Sequence, residues 1–333
     1  MRDEPYTTRV YIDALEPSTI AAVKDTAEAL SHCSNYWIPR ETIESGHGAT
    51  PTERAITALV DLVRPSLPLN WAGAEYWVQM YDAGRGLAFH FDKDEHAMKE
   101  EGRMVNPIFS SVLYLTGGGD CGNSPPPPPS SSDARVQAPT VVNDQFYNQE
   151  THSTVPEDPT RSTFIFPRKN SYCLFDGRLG HGVLDTGCKK ERITLLINWW
   201  QLKPENIDRI EIPGKEGEST ANGAKALPLL PPQQTLPECI YPETIQVTEA
   251  ELGEDDMVFI DDLLAARGIS LIGKDAVHAV TIKHPKLCLY PVDNEQLIEM
   301  EEQSEFILQV AACLAPLQDP SATSSSSSSE NSE

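Results

Sequence analysis

Four residues whose side chains could do chemistry stand in two short segments of the chain. One residue separates His90 from Asp92, and Arg192 follows His181 after eleven positions. Two imidazoles and one carboxylate on one side of an Fe(II) ion leave its other coordination positions open for reactants. An arginine near by would bind an anionic co-substrate through its guanidinium. These residues make one site only if the fold brings them together.

The residues around the first histidine have the pattern of a short β-strand. Residues i and i+2 of a strand project from the same face. His90 and Asp92 would therefore point together, while Phe89 and Phe91 would pack on the opposite side. We predict a strand over residues 87–92 that presents both ligands.

The distal histidine and the arginine also lie beside predicted strands. His181 follows a glycine-bearing turn and leads into a strand, and a further strand runs over residues 192–200. Arg192 would lie on the inner face of that strand, where an unpaired charge is very costly, so it needs a protein carboxylate or a bound anion. The residues of the opposite face are apolar and should pack against helices: Ile193, Leu195, Ile197 and Trp199.

The wider pattern divides the chain into stretches of different character. Short strands at high density, with no helical pattern between them, predict an antiparallel sandwich or barrel. The predicted stretches are an N-terminal helical region packing on the barrel (1–73), the strand-rich domain (74–202) with a disordered Pro/Ser insertion (about 120–138), a linker (203–242), a small α/β region (243–318) and a disordered Ser-rich tail (319–333). Within the first stretch, Thr50 would cap a helix that starts at Pro51, with Glu53 as its capping-box partner.

Composition excludes several classes of function. The 333 residues carry a net charge of −24, and binding to nucleic-acid phosphates needs clustered Lys and Arg instead. No apolar run is long enough for a membrane span, and the first residues lack the apolar stretch of a signal peptide. Seven cysteines without regular spacing fit a reducing compartment. We therefore expect a cytoplasmic protein, with the nucleus as the alternative, that binds neither membranes nor nucleic acids in general.

The order of these motifs resembles a known enzyme family. His-x-Asp, a distal histidine and an arginine about ten residues later are similar to the Fe(II)- and 2-oxoglutarate-dependent dioxygenases. The flanking motifs resemble those of the prolyl 4-hydroxylase-like domain: Tyr81-Asp82-Ala83-Gly84, His90-Phe91-Asp92, Ser111 to Thr116 and Phe175-Asp176-Gly177. The resemblance covers about residues 74–202, under half of the chain.

The resemblance implies a double-stranded β-helix, or jelly roll, and the residue patterns add N-terminal helices and a small C-terminal α/β extension, so we expect a mainly β fold with flanking helices (α+β). The resemblance implies that His90, Asp92 and His181 bind Fe(II) and are catalytic. Arg192 would hold the distal carboxylate of 2-oxoglutarate, with Thr194 and Tyr114 as hydrogen-bond partners.

The resemblance also implies a reaction of the hydroxylase type. O2 and 2-oxoglutarate would be consumed, succinate and CO2 released, and a C–H bond of a protein, peptide or small molecule hydroxylated, with ascorbate as an optional cofactor. Arg192 stands where many animal and plant prolyl hydroxylases carry lysine. Prolyl residues are therefore the leading substrate by resemblance without being fixed by the motif.

Two other functions remain open at the level of sequence. The jelly roll could be a non-catalytic binding or scaffold module, with the function carried by residues 243–318. Alternatively, a cupin-like metalloenzyme could use no 2-oxoglutarate. In that case His96 would be a fourth metal ligand and Arg192 would pair with a protein carboxylate.

Overall fold

The computed structural model describes most of the first 210 residues and shorter stretches beyond them: 7–31, 35–81, 86–117, 137–184, 191–210, 236–248, 257–271, 276–283, 288–291 and 310–313. The predicted tail over 319–333 lies outside these residues, as do most of the predicted linker over 203–242 and most of the predicted insertion over 120–138. Gln137 and Ala138, at the end of that insertion, are buried.

The described residues form seventeen strands, five α-helices and one 3-10 helix. In chain order they are β1 (Arg9–Ile12), α1 (Pro17–Ser31), β2 (Tyr36–Pro39), α2 (Arg40–Ser45), α3 (Pro51–Val63), the 3-10 helix (Arg64–Ser66), β3 (Gly73–Tyr81), β4 (Leu87–His90), α4 (Glu95–Glu101), β5 (Phe109–Tyr114), β6 (Thr140–Asn148), β7 (Ser153–Val155), β8 (Arg161–Ile165), β9 (Tyr172–Asp176), β10 (Leu179–Val183), β11 (Arg192–Trp200), β12 (Glu238–Ile240), β13 (Glu243–Gln246), β14 (Met257–Phe259), α5 (Ile260–Ala266), β15 (Ala279–Lys283), β16 (Cys288–Pro291) and β17 (Val310–Cys313).

The strands form two large sheets and one small one. The first sheet has the order β12-β1-β9-β5-β11-β3-β2, and the second has the order β13-β15-β8-β6-β10-β4, with β7 paired to β6. The small sheet has the order β14-β17-β16. Every described strand pair is antiparallel except β13 with β15. Because the strand order within each large sheet differs from the order along the chain, most neighbouring strands come from distant parts of the sequence.

The two large sheets enclose one apolar core. The first sheet contributes Val112, Tyr114 and Phe175 to it, and the second contributes Val142 and Leu179. Because strand side chains alternate between faces, the outer faces need cover of their own. Helices α1 and α3 cover the first sheet, and α5 covers the second. The predicted jelly-roll architecture, mainly β with flanking helices, is confirmed.

The predicted helix cap at Thr50 is present with one difference. The Thr50 hydroxyl accepts a hydrogen bond from the backbone N–H of Glu53 at 3.1 Å, and Pro51 opens the helix. The Glu53 carboxylate, however, accepts from the backbone N–H of Ala49 at 2.6 Å, one residue before the cap. The same carboxylate binds Arg209 at 3.0 Å, which ties the chain after β11 to α3.

Strand pairing crosses the predicted divisions of the chain, which stay predictions. The N-terminal region contributes helices α1, α2 and α3 as expected, but β1 and β2 from the same region join the first sheet. Beyond the strand-rich domain, β12 joins the first sheet while β13 and β15 join the second. Short strands of this kind are stabilised by partners far away in sequence, so local patterns do not reveal them.

Candidate metal centre

Two adjacent strands of the second sheet bring the histidines together. His90 ends β4, and His181 lies opposite it in the middle of β10. Residues opposite each other in an antiparallel pair project from the same face. The two rings accordingly lie 4.5 Å apart between centroids. His181 is 5% exposed, so one histidine is buried while the other reaches solvent.

Asp92 joins the histidines by a different route from the one the sequence predicts. Strand β4 ends at His90, and Asp92 lies in the irregular segment that follows, so regular strand alternation does not extend to the carboxylate. The expected packing of Phe89 on the opposite side is also wrong, because its side chain is 40% exposed. Phe91 does pack, against Tyr147 with the ring centroids 6.3 Å apart.

The three side chains converge at distances that suit one metal ion. Nε2 of His90 lies 3.8 Å from Oδ1 of Asp92, and Nε2 of His181 lies 3.4 Å from Oδ2. One donor atom from each residue lies within 4.8 Å of the other two. Three donors on one side of a divalent ion such as Fe(II) leave positions open on the other side. The group could hold such an ion.

Backbone carbonyls orient both imidazoles. Nδ1 of His90 lies 2.9 Å from the carbonyl oxygen of Ala88, and Nδ1 of His181 lies 3.0 Å from that of Leu179. A carbonyl oxygen only accepts hydrogen bonds, so Nδ1 must carry the proton in each ring. In the neutral form of either ring, Nε2 then presents its lone pair towards Asp92, which is the tautomer that a metal ligand needs.

Two polar side chains hold the loop that carries Asp92. The Ser110 hydroxyl donates to Oδ2 of Asp92 at 2.6 Å, and the Asn106 amide donates to the Asp92 backbone carbonyl at 2.7 Å. Partners of this kind fix the rotamer of a metal-binding carboxylate. Nothing in the local sequence marked Ser110 or Asn106, because their role depends on a strand that lies beside this loop only in the fold.

The environment of His90 favours its neutral form. Partial burial lowers the pKa of His90, the neighbouring His181 lowers it further, and the Ala88 carbonyl and Asp92 oppose these effects. A histidine binds a metal only when its ring is neutral. A lowered pKa therefore keeps His90 available to a metal over a wider range of pH.

Gly182 allows the two histidine strands to approach. A Cβ at this position would lie 2.9 Å from the carbonyl oxygen of Leu87 and 3.2 Å from the backbone nitrogen of Phe89. Both atoms belong to β4, so any side chain here would push β4 away from β10. The glycine beside His181 is thus required by the spacing of the two ligands.

Arg192 lies in a second, fully buried polar cluster. Its Nη2 donates to Oγ1 of Thr140 at 2.8 Å, and the Tyr114 hydroxyl donates to the same oxygen at 2.7 Å. The Arg192 guanidinium also lies over the Tyr114 ring, with Cζ 5.4 Å from the centroid. Burial, above all other influences, raises the pKa of Tyr114, so its hydroxyl keeps its proton. Thr140 joins the pair and was not singled out from the sequence.

The register of the second sheet relates this cluster to the histidines. His181 in β10 lies opposite Val142 in β6, and Thr140 precedes Val142 by two residues. Both residues of β6 project from the same face, and Val142 belongs to the core between the sheets. At about 3.3 Å per residue, Thr140 lies roughly 7 Å along the strand from the level of His181. Through Thr140, Arg192 is therefore linked to the face of the second sheet that also carries His181.

Thr194 has a different partner from the predicted one. It is fully buried beside Tyr114 in the sheet, but its hydroxyl donates to the backbone carbonyl of Gln79 at 3.5 Å. The residues on the opposite, outer face of the same strand pack against the helices as predicted. Its assignment as a co-substrate ligand remains a prediction from resemblance.

His96 is engaged away from the three-residue group. Its Nε2 lies 2.9 Å from a carboxylate oxygen of Glu205, and its Nδ1 lies 3.0 Å from the amide nitrogen of Asn206. Within the described part of the chain, the group of possible metal ligands contains His90, Asp92 and His181 without it. This arrangement argues against a fourth histidine ligand.

Comparison with known proteins gives likenesses to solved structures only. No family model and no curated protein matches the chain. A prolyl-4-hydroxylase from Pseudomonas putida is 16% identical, with a TM-score of 0.37 over 59% of this chain and 86% of that one. HygX from Streptomyces hygroscopicus, solved with nickel and 2-oxoglutarate bound, is 12% identical, with a TM-score of 0.34 over 59% of this chain and 82% of that one. SnoN, a non-heme alpha-ketoglutarate-dependent epimerase of nogalamycin biosynthesis, is 12% identical, with a TM-score of 0.37 over 70% of this chain and 93% of that one.

Proposed function

We propose that the chain is an Fe(II)- and 2-oxoglutarate-dependent dioxygenase that hydroxylates its substrate and releases succinate and CO2. The observation that carries this proposal is the convergence of two Nε2 atoms and one carboxylate, with both Nδ1 atoms held by backbone carbonyls. A metal ion bound between these three side chains would explain why two imidazole Nε2 atoms are aimed at one carboxylate. A non-catalytic scaffold would have no use for a ligand set that leaves positions open for reactants.

Each residue has a distinct part in this proposal. Iron held by His90, Asp92 and His181 would supply the activation of O2 that organic side chains cannot perform. Arg192 binds the distal carboxylate of 2-oxoglutarate, and Thr140 and Tyr114 fix the orientation of the guanidinium. Ser110 holds the Asp92 carboxylate in place. The burial of Arg192, Thr140 and Tyr114 would keep bulk water away from the bound carboxylate.

The substrate is the less defined part of the proposal. Hydroxylation is favoured because Asp92 fills the third ligand position, and prolyl residues of a protein or peptide are the first substrates to test. We place the reaction at the side of the triad nearest His90, since His90 is the most exposed of the three ligands.

Succinate formation from 2-oxoglutarate tests the proposal directly. Wild-type protein should form succinate only when Fe(II) and O2 are both present, and Asp92→Ala should lower this rate by more than about 100-fold, beyond the usual effect of residues behind the ligands. Asp61→Ala, an exposed change on α3, serves as the control and should retain the rate. Wild-type turnover by Asp92→Ala would overturn the proposal.

A further inference from the structure

An opening interrupts the buried inner face of the first sheet. Eight of the nine residues of β11 are buried, and the exception is Leu196 in its centre. Its partner on β3 is Trp77, which is also half-buried, as is Gln79 next along that face. The inner face is therefore less covered here than along the rest of β11, although Leu196 still packs against the core between the sheets.

This opening lies on the face that carries the candidate site. Tyr76 and Val78 pack with the helices on the outer side of the sheet. Alternation along β3 then puts Glu75 and Trp77 on the inner side. That side faces the second sheet and carries Arg192. Trp77 and Leu196 therefore border the partly open space between the two sheets, here called the cleft, rather than an outer surface.

A row of buried polar residues connects this cleft to the metal centre. Ser110, Asn198 and Glu75 lie side by side on β5, β11 and β3. Ser110 donates to Asp92, as described above. With strands spaced about 4.8 Å apart, the Cα of Glu75 lies roughly 10 Å from that of Ser110. The row thus ends in the Glu75 carboxyl group, about 10 Å from the residue that binds Asp92.

Glu75 is a buried acid whose environment offers donors but no cation. It is 4% exposed and accepts from the Asn35 amide at 2.6 Å and from the Trp200 indole N–H at 2.9 Å. Asn198 donates to it as well. No lysine or arginine in the described ranges forms an ion pair with it. A carboxylate has about four acceptor positions, so one remains for a further donor.

We propose that the cleft binds a substrate with an apolar body and a cationic nitrogen, with Glu75 pairing the nitrogen while Trp77 and Leu196 pack against the apolar body. Placing the reacting C–H bond at the metal rests on the proposed function, but binding in the cleft does not. A buried carboxylate is costly without a partner of opposite charge, and an incoming cation supplies that partner. Glu75 and Trp77 are thus specificity residues that select the substrate.

Two further observations agree with this charge preference. Burial raises the pKa of Glu75 to about 7, the Asn35 hydrogen bond opposes this and the charge of Asp92 adds to it, so an ammonium group near by would favour the ionised form. The net charge of −24 also attracts cations and repels anions over longer distances. An anionic substrate would meet both effects as costs.

Calorimetric titration of the iron-free protein tests the cleft with three matched compounds. n-Pentylammonium, pentanamide and pentanoate share a carbon chain and differ in the charge of the end group. Wild-type protein should bind n-pentylammonium at least about tenfold more tightly than either of the others, as expected for one added charge-assisted hydrogen bond. Glu75→Gln should abolish this preference, and Trp77→Ala should weaken binding of n-pentylammonium and pentanamide by similar factors.

Glu53→Gln is the matched control, since Glu53 is another buried acid but pairs with Arg209 on the far side of the sheet. It should keep the preference for n-pentylammonium, which excludes a general effect of losing a buried carboxylate. Equal affinity for the three compounds, no saturable binding of n-pentylammonium, or an unchanged preference in Glu75→Gln would each overturn the inference. Because iron is absent, these outcomes are independent of succinate formation, which tests the proposed function separately.

Discussion

The two faces of β11 differ in what holds their side chains. On the outer face Ile193, Leu195 and Ile197 pack with the helices in one apolar cluster. On the inner face Arg192 donates to Thr140 of the other sheet, and Asn198 lies between Ser110 and Glu75. Apolar packing requires only the right shape, whereas each of these polar inner residues requires a particular partner. On the proposals above, the same strand carries stability on one side and recognition on the other.

Removal of Arg192 should produce the largest difference between the two faces. Truncating one partner of a buried charged hydrogen bond costs about 2–5 kcal/mol, so Arg192→Ala should raise the concentration of 2-oxoglutarate for half-maximal succinate formation by roughly 30-fold or more. Steady-state kinetics with iron in excess measures this change. An unchanged half-saturation would remove Arg192 from the co-substrate site and leave it as a structural cation.

The matched change on the outer face should affect folding instead. Leu195 is fully buried among the helices, and Leu195→Ala should lower the free energy of unfolding by about 3 kcal/mol through lost contacts and a cavity. Urea unfolding followed by fluorescence measures this loss. The folded fraction should keep the wild-type half-saturation for 2-oxoglutarate. A large change in that constant would mean that the two faces are not separable.

The contrast between the faces also explains what the sequence could predict. Alternation along residues 192–200 predicted both faces of β11, and an apolar face is visible locally because its partners need no specific identity. The convergence of His90, Asp92 and His181 could be predicted for a similar reason, since possible metal ligands are restricted to a few residue types. The strand-rich region could be predicted from the same alternation of apolar and polar residues.

Residues that act through distant partners escaped prediction. Thr140 links Arg192 to Tyr114, and Ser110 supports Asp92, but each gains its role from strands that meet only in the folded sheet. Glu75 looks like an ordinary strand residue until its burial is known. The predicted packing of Phe89 was also wrong. Strand β4 lies at the edge of its sheet, and the Phe89 side chain is exposed there.

A smaller effect should appear in the pH dependence of stability. The pKa of Glu75 is raised to about 7 from 4.5, so between these values the native protein keeps a proton that the unfolded chain has lost. Wild-type stability should therefore fall as the pH rises through this window and level off above it. Glu75→Gln does not titrate and should gain on the order of 2–3 kcal/mol relative to wild type between pH 4.5 and 8. Metal-free urea unfolding measures it, and a difference that is constant with pH would contradict this account of Glu75.

The orientation of the two imidazoles offers the most direct test of the metal centre. Co(II) can replace Fe(II) as a paramagnetic ion, and each Nδ1–H of a ligand histidine then gives a strongly shifted proton signal. Because both Nδ1 atoms donate to backbone carbonyls, the Co(II)-loaded protein should show two such exchangeable signals, and His90→Ala and His181→Ala should each remove metal binding or one signal. Fewer than two signals in the wild type, or both signals retained in either variant, would contradict a centre built from these two rings and Asp92.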